Sequence, residues 1–180
     1  MKVLVLNGSP RNGNTKVALN AVIQGIKENK ECEVEFFDVA KHKIAPCLGC
    51  NTCVSNNNNC VIDDEGKVFA QKISDADVII FGTPVYWWGM TAQLKSVLDR
   101  MYMQGMANLK KKKQIGVITV GGADLDDEEY DLISRQFRCI ADYLDWTIVI
   151  NESISAYEID DLAKDSEKLD HLKQLWKELD

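Results

Sequence analysis

Two apolar periods alternate along the chain. Val3, Leu4, Val5 and Leu6 form a short continuous apolar run, closed by the turn residues Asn7-Gly8-Ser9-Pro10. A run of this kind, ended by a turn signal, predicts a strand buried on both faces. Residues 16–29 follow with Ala18, Ala21, Val22, Gly25 and Ile26 at helical spacing, which predicts a helix with one apolar stripe. The alternation then repeats. Strands are predicted over 33–39, 76–81, 114–120 and 146–150. Helices are predicted over 64–74, with Val68, Phe69 and Ile73 inward, and over 91–103, 126–143 and 160–179. Strands that alternate with helices in this way predict one α/β domain over 1–180, a doubly wound parallel sheet in a three-layer α/β/α arrangement. Residues 41–63 differ in composition and hold four of the six cysteines, and they read as a loop insertion.

Ligands of such sheets sit outside the carboxyl ends of the strands, where strand order reverses. Three loops fall there. In the first, the turn leads through Gly13-Asn14-Thr15 into the helix. A strand, a tight polar loop and a helix start together aim unpaired N–H groups and the positive end of a helix dipole at one spot, which suits a phosphate. Ser9, Asn14 and Thr15 add side-chain donors, and Arg11 adds a charge. Gly8 and Gly13 have the Walker spacing, but Asn14 stands where that motif needs lysine, and G-x-G-x-x-G is absent. A single terminal phosphate fits better than a nucleoside triphosphate, and the plain alternative is an ordinary βα turn. The second loop, Pro84-Val85-Tyr86-Trp87-Trp88-Gly89, places consecutive large aromatics where exposure is unfavourable. Tyr86 and Trp87 suit the face of a flat conjugated ligand, and the alternative is that Trp87 and Trp88 pack under the next helix or in a dimer contact. The third loop offers the backbone N–H groups of Gly121 and Gly122.

Composition narrows the class. The chain is 46% hydrophobic and 27% charged, with a net charge of −7, which argues against a general nucleic-acid binder. The four lysines at 110–113 read as a solvated loop. No signal peptide or membrane-spanning run is evident, so a cytoplasmic location is expected, where thiols stay reduced. Six cysteines then invite a metal or redox reading before a disulfide one. No Ser/His/Asp arrangement supports hydrolysis.

The loops GSPRNGNT and TPVYWWGMTAQLKSVLDR, with the glycine pair after the fourth strand, resemble the NADPH-dependent FMN reductase group of the flavodoxin-like superfamily. The resemblance covers nearly the whole chain and implies a five-stranded sheet in the order 2-1-3-4-5 with bound FMN. On it, Ser9, Arg11, Asn14 and Thr15 match the phosphate loop, Pro84, Val85, Tyr86 and Trp87 the isoalloxazine loop, and Gly121 and Gly122 the third flavin loop. NAD(P)H is the implied substrate, and a homodimer or homotetramer is expected, with Trp88, Met90, Met103 and Met106 as apolar contacts. Flavodoxins themselves carry a Thr-rich phosphate loop, which disfavours a pure electron carrier.

Cys47, Cys50, Cys53 and Cys60 stand in the pattern C-x2-C-x2-C-x6-C. The first three can fold round one face of a cubane cluster, with the fourth returning through the turn at 55–59. The ferredoxin run differs in its last gap and its proline. The pattern resembles the compact motif of the iron–sulfur flavoproteins, a subgroup of the same family, which implies a [4Fe–4S] cluster beside FMN. Zinc on four thiolates is the competing metal. Cys32 and Cys139 read as buried thiols. The expected function is electron transfer between a small-molecule or protein redox partner and FMN, through the cluster. The alternatives are a cluster-free NAD(P)H-dependent FMN or quinone reductase, and a non-catalytic electron carrier or zinc-stabilised binding protein.

Overall fold

A computed structural model describes all 180 residues. The strands are β1 (Lys2–Asn7), β2 (Glu33–Asp38), β3 (Val78–Pro84), β4 (Gln114–Gly121) and β5 (Thr147–Ser155). The helices are α1 (Asn14–Asn29), α2 (Thr52–Ser55), α3 (Gly66–Asp75), α4 (Ala92–Arg100), α5 (Met106–Leu109), α6 (Glu128–Leu144), α7 (Asp161–Lys164) and α8 (Ser166–Gln174). All strand pairings are parallel, in the order β2-β1-β3-β4-β5. This is the flavodoxin-like order that the resemblance implied. Strand order reverses at β1, which lies between β2 and β3.

The continuous apolar runs follow from burial on both faces. Leu4, Leu6, Ile79, Phe81, Ile115 and Val117 face the layer of α3, α4 and α6. Val3, Val5, Val78, Ile80, Ile118 and Ile150 face α1, α7 and α8. Successive side chains point to opposite faces, so a strand between two helix layers must be apolar at every position. No helix is long and apolar enough to cross a membrane.

Several elements differ from the sequence expectation. The last predicted helix is broken into α7, α8 and a 3-10 turn over Leu175–Glu178. The break is at Asp165, whose carboxylate accepts the Lys168 N–H at 3.0 Å and starts α8 afresh. β5 runs five residues past Ile150 because Asn151, Glu152 and Ser153 lie on an edge strand, where polar residues meet solvent. Met101–Gln104 is a 3-10 turn beyond α4. Val68 is exposed, since it lies one residue off the Phe69 and Ile73 stripe. Cys139 is exposed and Cys32 half-buried. Met90 and Met103 are buried within the chain, so Trp88 remains the exposed member of the expected subunit contact. Lys113 is not in a solvated loop. Its ammonium is buried and donates to the Ser74 and Ala76 carbonyls at the end of α3, and burial lowers its pKa.

The α1–α8 contact depends on Gly25. A Cβ there would stand 1.9 Å from the Lys173 carbonyl oxygen. Gly25→Ala is expected to destabilise the chain by roughly 1–3 kcal/mol through overpacking, although alanine is the better helix former by about 1 kcal/mol. Urea unfolding checks this, with a lower midpoint at unchanged slope expected.

Candidate functional site

The site begins where β1 ends. The Gly8 N–H donates to the Gly82 carbonyl of β3 at 2.8 Å. Thr91 binds the two loops again, its Oγ1 donating to the Gly8 carbonyl at 2.8 Å and accepting the Leu94 N–H at 3.3 Å as the cap of α4. A Cβ on Gly8 would lie 2.9 Å from Leu94 Cβ and 3.0 Å from the Gly82 oxygen, so only glycine permits this approach. Ser9 is pinned in turn. Its N–H donates to Asn7 Oδ1, and its Oγ accepts the Arg11 N–H at 3.2 Å.

The loop then delivers the start of α1. No side chain caps that helix at Gly13. The Asn14 and Thr15 N–H groups therefore remain available, while the Lys16 N–H already donates to the Gly13 carbonyl at 3.0 Å, and they carry the positive end of a 16-residue helix dipole. They open onto a cavity of about 180 Å³. Eight of the ten residues predicted for the flavin loops line it: Ser9, Arg11, Asn14, Thr15, Pro84, Val85, Gly121 and Gly122. Asn14 does more than line it. Its Nδ2 donates to the Glu158 carbonyl at 2.6 Å and its Oδ1 accepts the Leu162 N–H at 3.1 Å, which ties the loop to the segment after β5.

Tyr86 and Trp87 do not line the cavity. They stand beyond Val85 in a tight turn closed by Tyr86 N–H to Gly89 O at 2.9 Å and Gly89 N–H to Tyr86 O at 3.1 Å. Trp87 and Trp88 occupy the two central positions with φ of 50° and 57°. Left-handed backbone at bulky residues costs on the order of 1–3 kcal/mol each. The turn nevertheless presents Trp87 at 91% exposure.

Sequence reasoning missed Tyr157 and Ile159, which also line the cavity. A Cβ on Gly122 would lie 3.1 Å from the Tyr157 ring, so that ring rests on the glycine backbone. Their signal was the longer reach of β5. Ending that strand at Ile150 hid a fourth loop at the same sheet edge.

The cysteine loop forms a second centre. Cys47, Cys50, Cys53 and Cys60 line one small cavity of about 30 Å³, together with Arg100 and Tyr102. Their sulfurs are spread around that cavity rather than gathered on one ion-sized point. Hydrogen bonds from Thr52, first from its side chain and then from its backbone, hold the Cys50 thiol below its usual range. Arg100 and Asp64, also missed from sequence, form a buried pair at 2.9 Å beside this cavity. Burial would raise the Asp64 carboxyl, but Arg100 and the Ala45 and Gly66 N–H groups outweigh it and hold it low.

The β1–β2 side is held by charge. Asp38 accepts from Asn7 Nδ2 at 2.8 Å and pairs with Lys16 at 2.7 Å and Lys41 at 2.6 Å. Burial would raise its pKa, yet these partners bring it from 3.8 to about 2. A carboxyl lowered in the folded state stabilises above its unfolded pKa and loses that contribution as pH falls through the folded one. The gain is about 2 kcal/mol above pH 3.8, fading toward pH 2. The difference in unfolding free energy between the unaltered chain and Asp38→Asn is thus expected to shrink as pH falls through that window. Urea titrations at stepped pH check it, and a constant difference would contradict it.

Residues 1–149 match the family model described as NADPH-dependent FMN reductase. An iron-sulfur flavoprotein of Methanocaldococcus jannaschii is 36% identical over 124 residues, covering 68% of this chain and 63% of that protein. The match thus spans less than two thirds of that relative. A second iron-sulfur flavoprotein of the same organism is 35% identical over 156 residues, covering 86% of this chain and 74% of its own. Among solved structures, an NAD(P)H:quinone oxidoreductase from Methanothermobacter marburgensis superposes with a TM-score of 0.74 at 18% identity. It covers 100% of this chain and 96% of that one, and it speaks to the fold.

Proposed function

The chain belongs to the NADPH-dependent FMN reductase family, and on that footing we propose that it is an FMN-dependent oxidoreductase that passes electrons through a [4Fe–4S] cluster on its cysteine loop. The observation that carries the flavin reading is the uncapped start of α1, opening onto a cavity shared by three loops at the sheet's switch point. That cavity joins the loop after β1 to the loops that would meet the ring. The Asn14 and Thr15 N–H groups, the Ser9 and Thr15 hydroxyls and Arg11 would hold the phosphate. Gly121 and Gly122 let the backbone come close to the ring, with Tyr157 beside them. The exposed, strained Tyr86–Trp87 turn gives the ring an aromatic surface, and ligand contact offsets the exposure of the indole. Bound there, FMN would supply the chemistry of taking up two electrons as a hydride and releasing them one at a time. The protein's part is binding and orientation, so no protein nucleophile is required.

The cluster reading rests on the donor set. Four thiols around one cavity, with a buried cation beside them, suit an anionic iron–sulfur group held by four cysteines. The relatives named iron-sulfur flavoproteins support it. A cluster-free NAD(P)H-dependent reductase is the second reading, favoured by the spread of the four sulfurs. The proposal includes a cytoplasmic location, a small-molecule or protein redox partner, and a homodimer or homotetramer with Trp88 at a contact.

Two variants test the two halves. Gly13→Asp places a carboxylate at the helix start, where it caps the helix and repels phosphate. FMN affinity is expected to fall at least about tenfold, or about 1.4 kcal/mol, and unchanged affinity in a fluorescence titration would remove the phosphate assignment. Cys50→Ala, purified without oxygen, is expected to lose iron and sulfide together while FMN stays near one per chain. Zinc without sulfide in the unaltered chain would point to a structural metal instead.

A further inference from the structure

Arg100 ends α4 against the cysteine loop, and its side chain is 1% exposed. Its guanidinium makes three sets of contacts. The Asp64 carboxylate takes Nη1 and Nη2 at 2.9 Å each, an in-plane fork. The Ala45 carbonyl accepts from Nη1 at 3.0 Å, and the Ile62 carbonyl from Nη2 at 3.4 Å. Ala45 precedes Cys47 by two residues and Ile62 follows Cys60 by two, so one side chain clamps both ends of the loop. Gly66 leaves room for it, since a Cβ there would lie 2.9 Å from the guanidinium carbon.

One N–H remains unused. Arg100 Nε is the one buried side-chain polar atom in the chain without a hydrogen-bond partner. A buried donor left unmade costs about 1–3 kcal/mol, and Arg100 itself lines the cavity of the four cysteines. The guanidinium stays charged at any accessible pH, and Asp64 pairs it inside the protein. A fixed cation with a spare donor therefore faces the sulfur-lined space.

We propose that Arg100 is the positioning residue of the sulfur site, closing the loop ends through Asp64, Ala45 and Ile62 and supplying a cationic hydrogen-bond donor to the sulfurs of that cavity when they are ligands. The proposal rests on the metal reading of the four cysteines. Positive charge and N–H donors beside cluster sulfurs favour the reduced state, so Arg100 raises the reduction potential. Asp64 opposes it, because its carboxylate offsets part of that charge.

The opposed signs give the test. Arg100→Lys, Arg100→Met and Asp64→Asn are compared with the unaltered chain as FMN-loaded protein reconstituted anaerobically with iron and sulfide. FMN content and thermal melting establish that each is folded. The cluster potential is expected to fall in Arg100→Met, to fall less in Arg100→Lys, and to rise in Asp64→Asn. A purely structural clamp would shift Arg100→Met and Asp64→Asn the same way, and that result, or four equal potentials, would overturn the proposal. Calorimetric titration of the cluster-free, thiol-reduced chains with Cd²⁺ gives a second readout. Cd²⁺ is expected to bind about tenfold more weakly to Arg100→Met than to the unaltered chain, and no more weakly to Asp64→Asn. If the unaltered chain takes up no iron or sulfide and this Cd²⁺ pattern holds, the cluster reading fails and the role of Arg100 stands. Equal Cd²⁺ affinities would overturn that role as well.

Discussion

The hydrogen bond from the Gly8 N–H to the Gly82 carbonyl, with Thr91 bridging to the Gly8 oxygen, is the junction on which the site depends. It fixes the end of β1 to the end of β3, the two strands between which the chain's direction of winding reverses. The first loop can then go only outward, over the carboxyl edge of the sheet and into α1. The same hydroxyl caps α4, so the aromatic turn before that helix is anchored to the loop after β1. Fold and site thus share one set of backbone contacts, and glycine at position 8 is required by the closeness of the approach.

Elements with a two-sided apolar pattern were legible from residues alone. β1 and β3 are buried along their apolar runs, and their residues divide between two cores as the period of two demands. β5 was legible only in its apolar half, because an edge strand with one wet face carries Asn151, Glu152 and Ser153 without penalty. That shortfall concealed Tyr157 and Ile159, since a loop is placed at the sheet edge only when its strand is read to the end. The broken last helix was missed because Leu162, Leu169, Leu172, Trp176 and Leu179 keep helical spacing across the break, while Asp165 acts through a local hydrogen bond that spacing does not register.

The cysteine loop shows a different limit. Its pattern announced the chemistry of the donors, but not the cation that faces them. Arg100 lies within a helix whose apolar stripe is strong, and in sequence it resembles any charged residue at a helix end. Only the fold brings it against Asp64, Ala45 and Ile62, residues 36 to 55 positions earlier. Burial of that pair is what separates a solvated ion pair of little consequence from a fixed charge beside the thiols.

The most direct measurement compares FMN with riboflavin, which differ in the phosphate, for binding to flavin-free chain by fluorescence quenching. A phosphate held by the first turn of α1 with Ser9, Thr15 and Arg11 makes several charge-assisted hydrogen bonds, each on the order of 1.5–3 kcal/mol. Riboflavin is therefore expected to bind at least about a hundredfold more weakly than FMN. Equal affinities would mean that the phosphate lies elsewhere, and that the loops at this sheet edge do not form the flavin site.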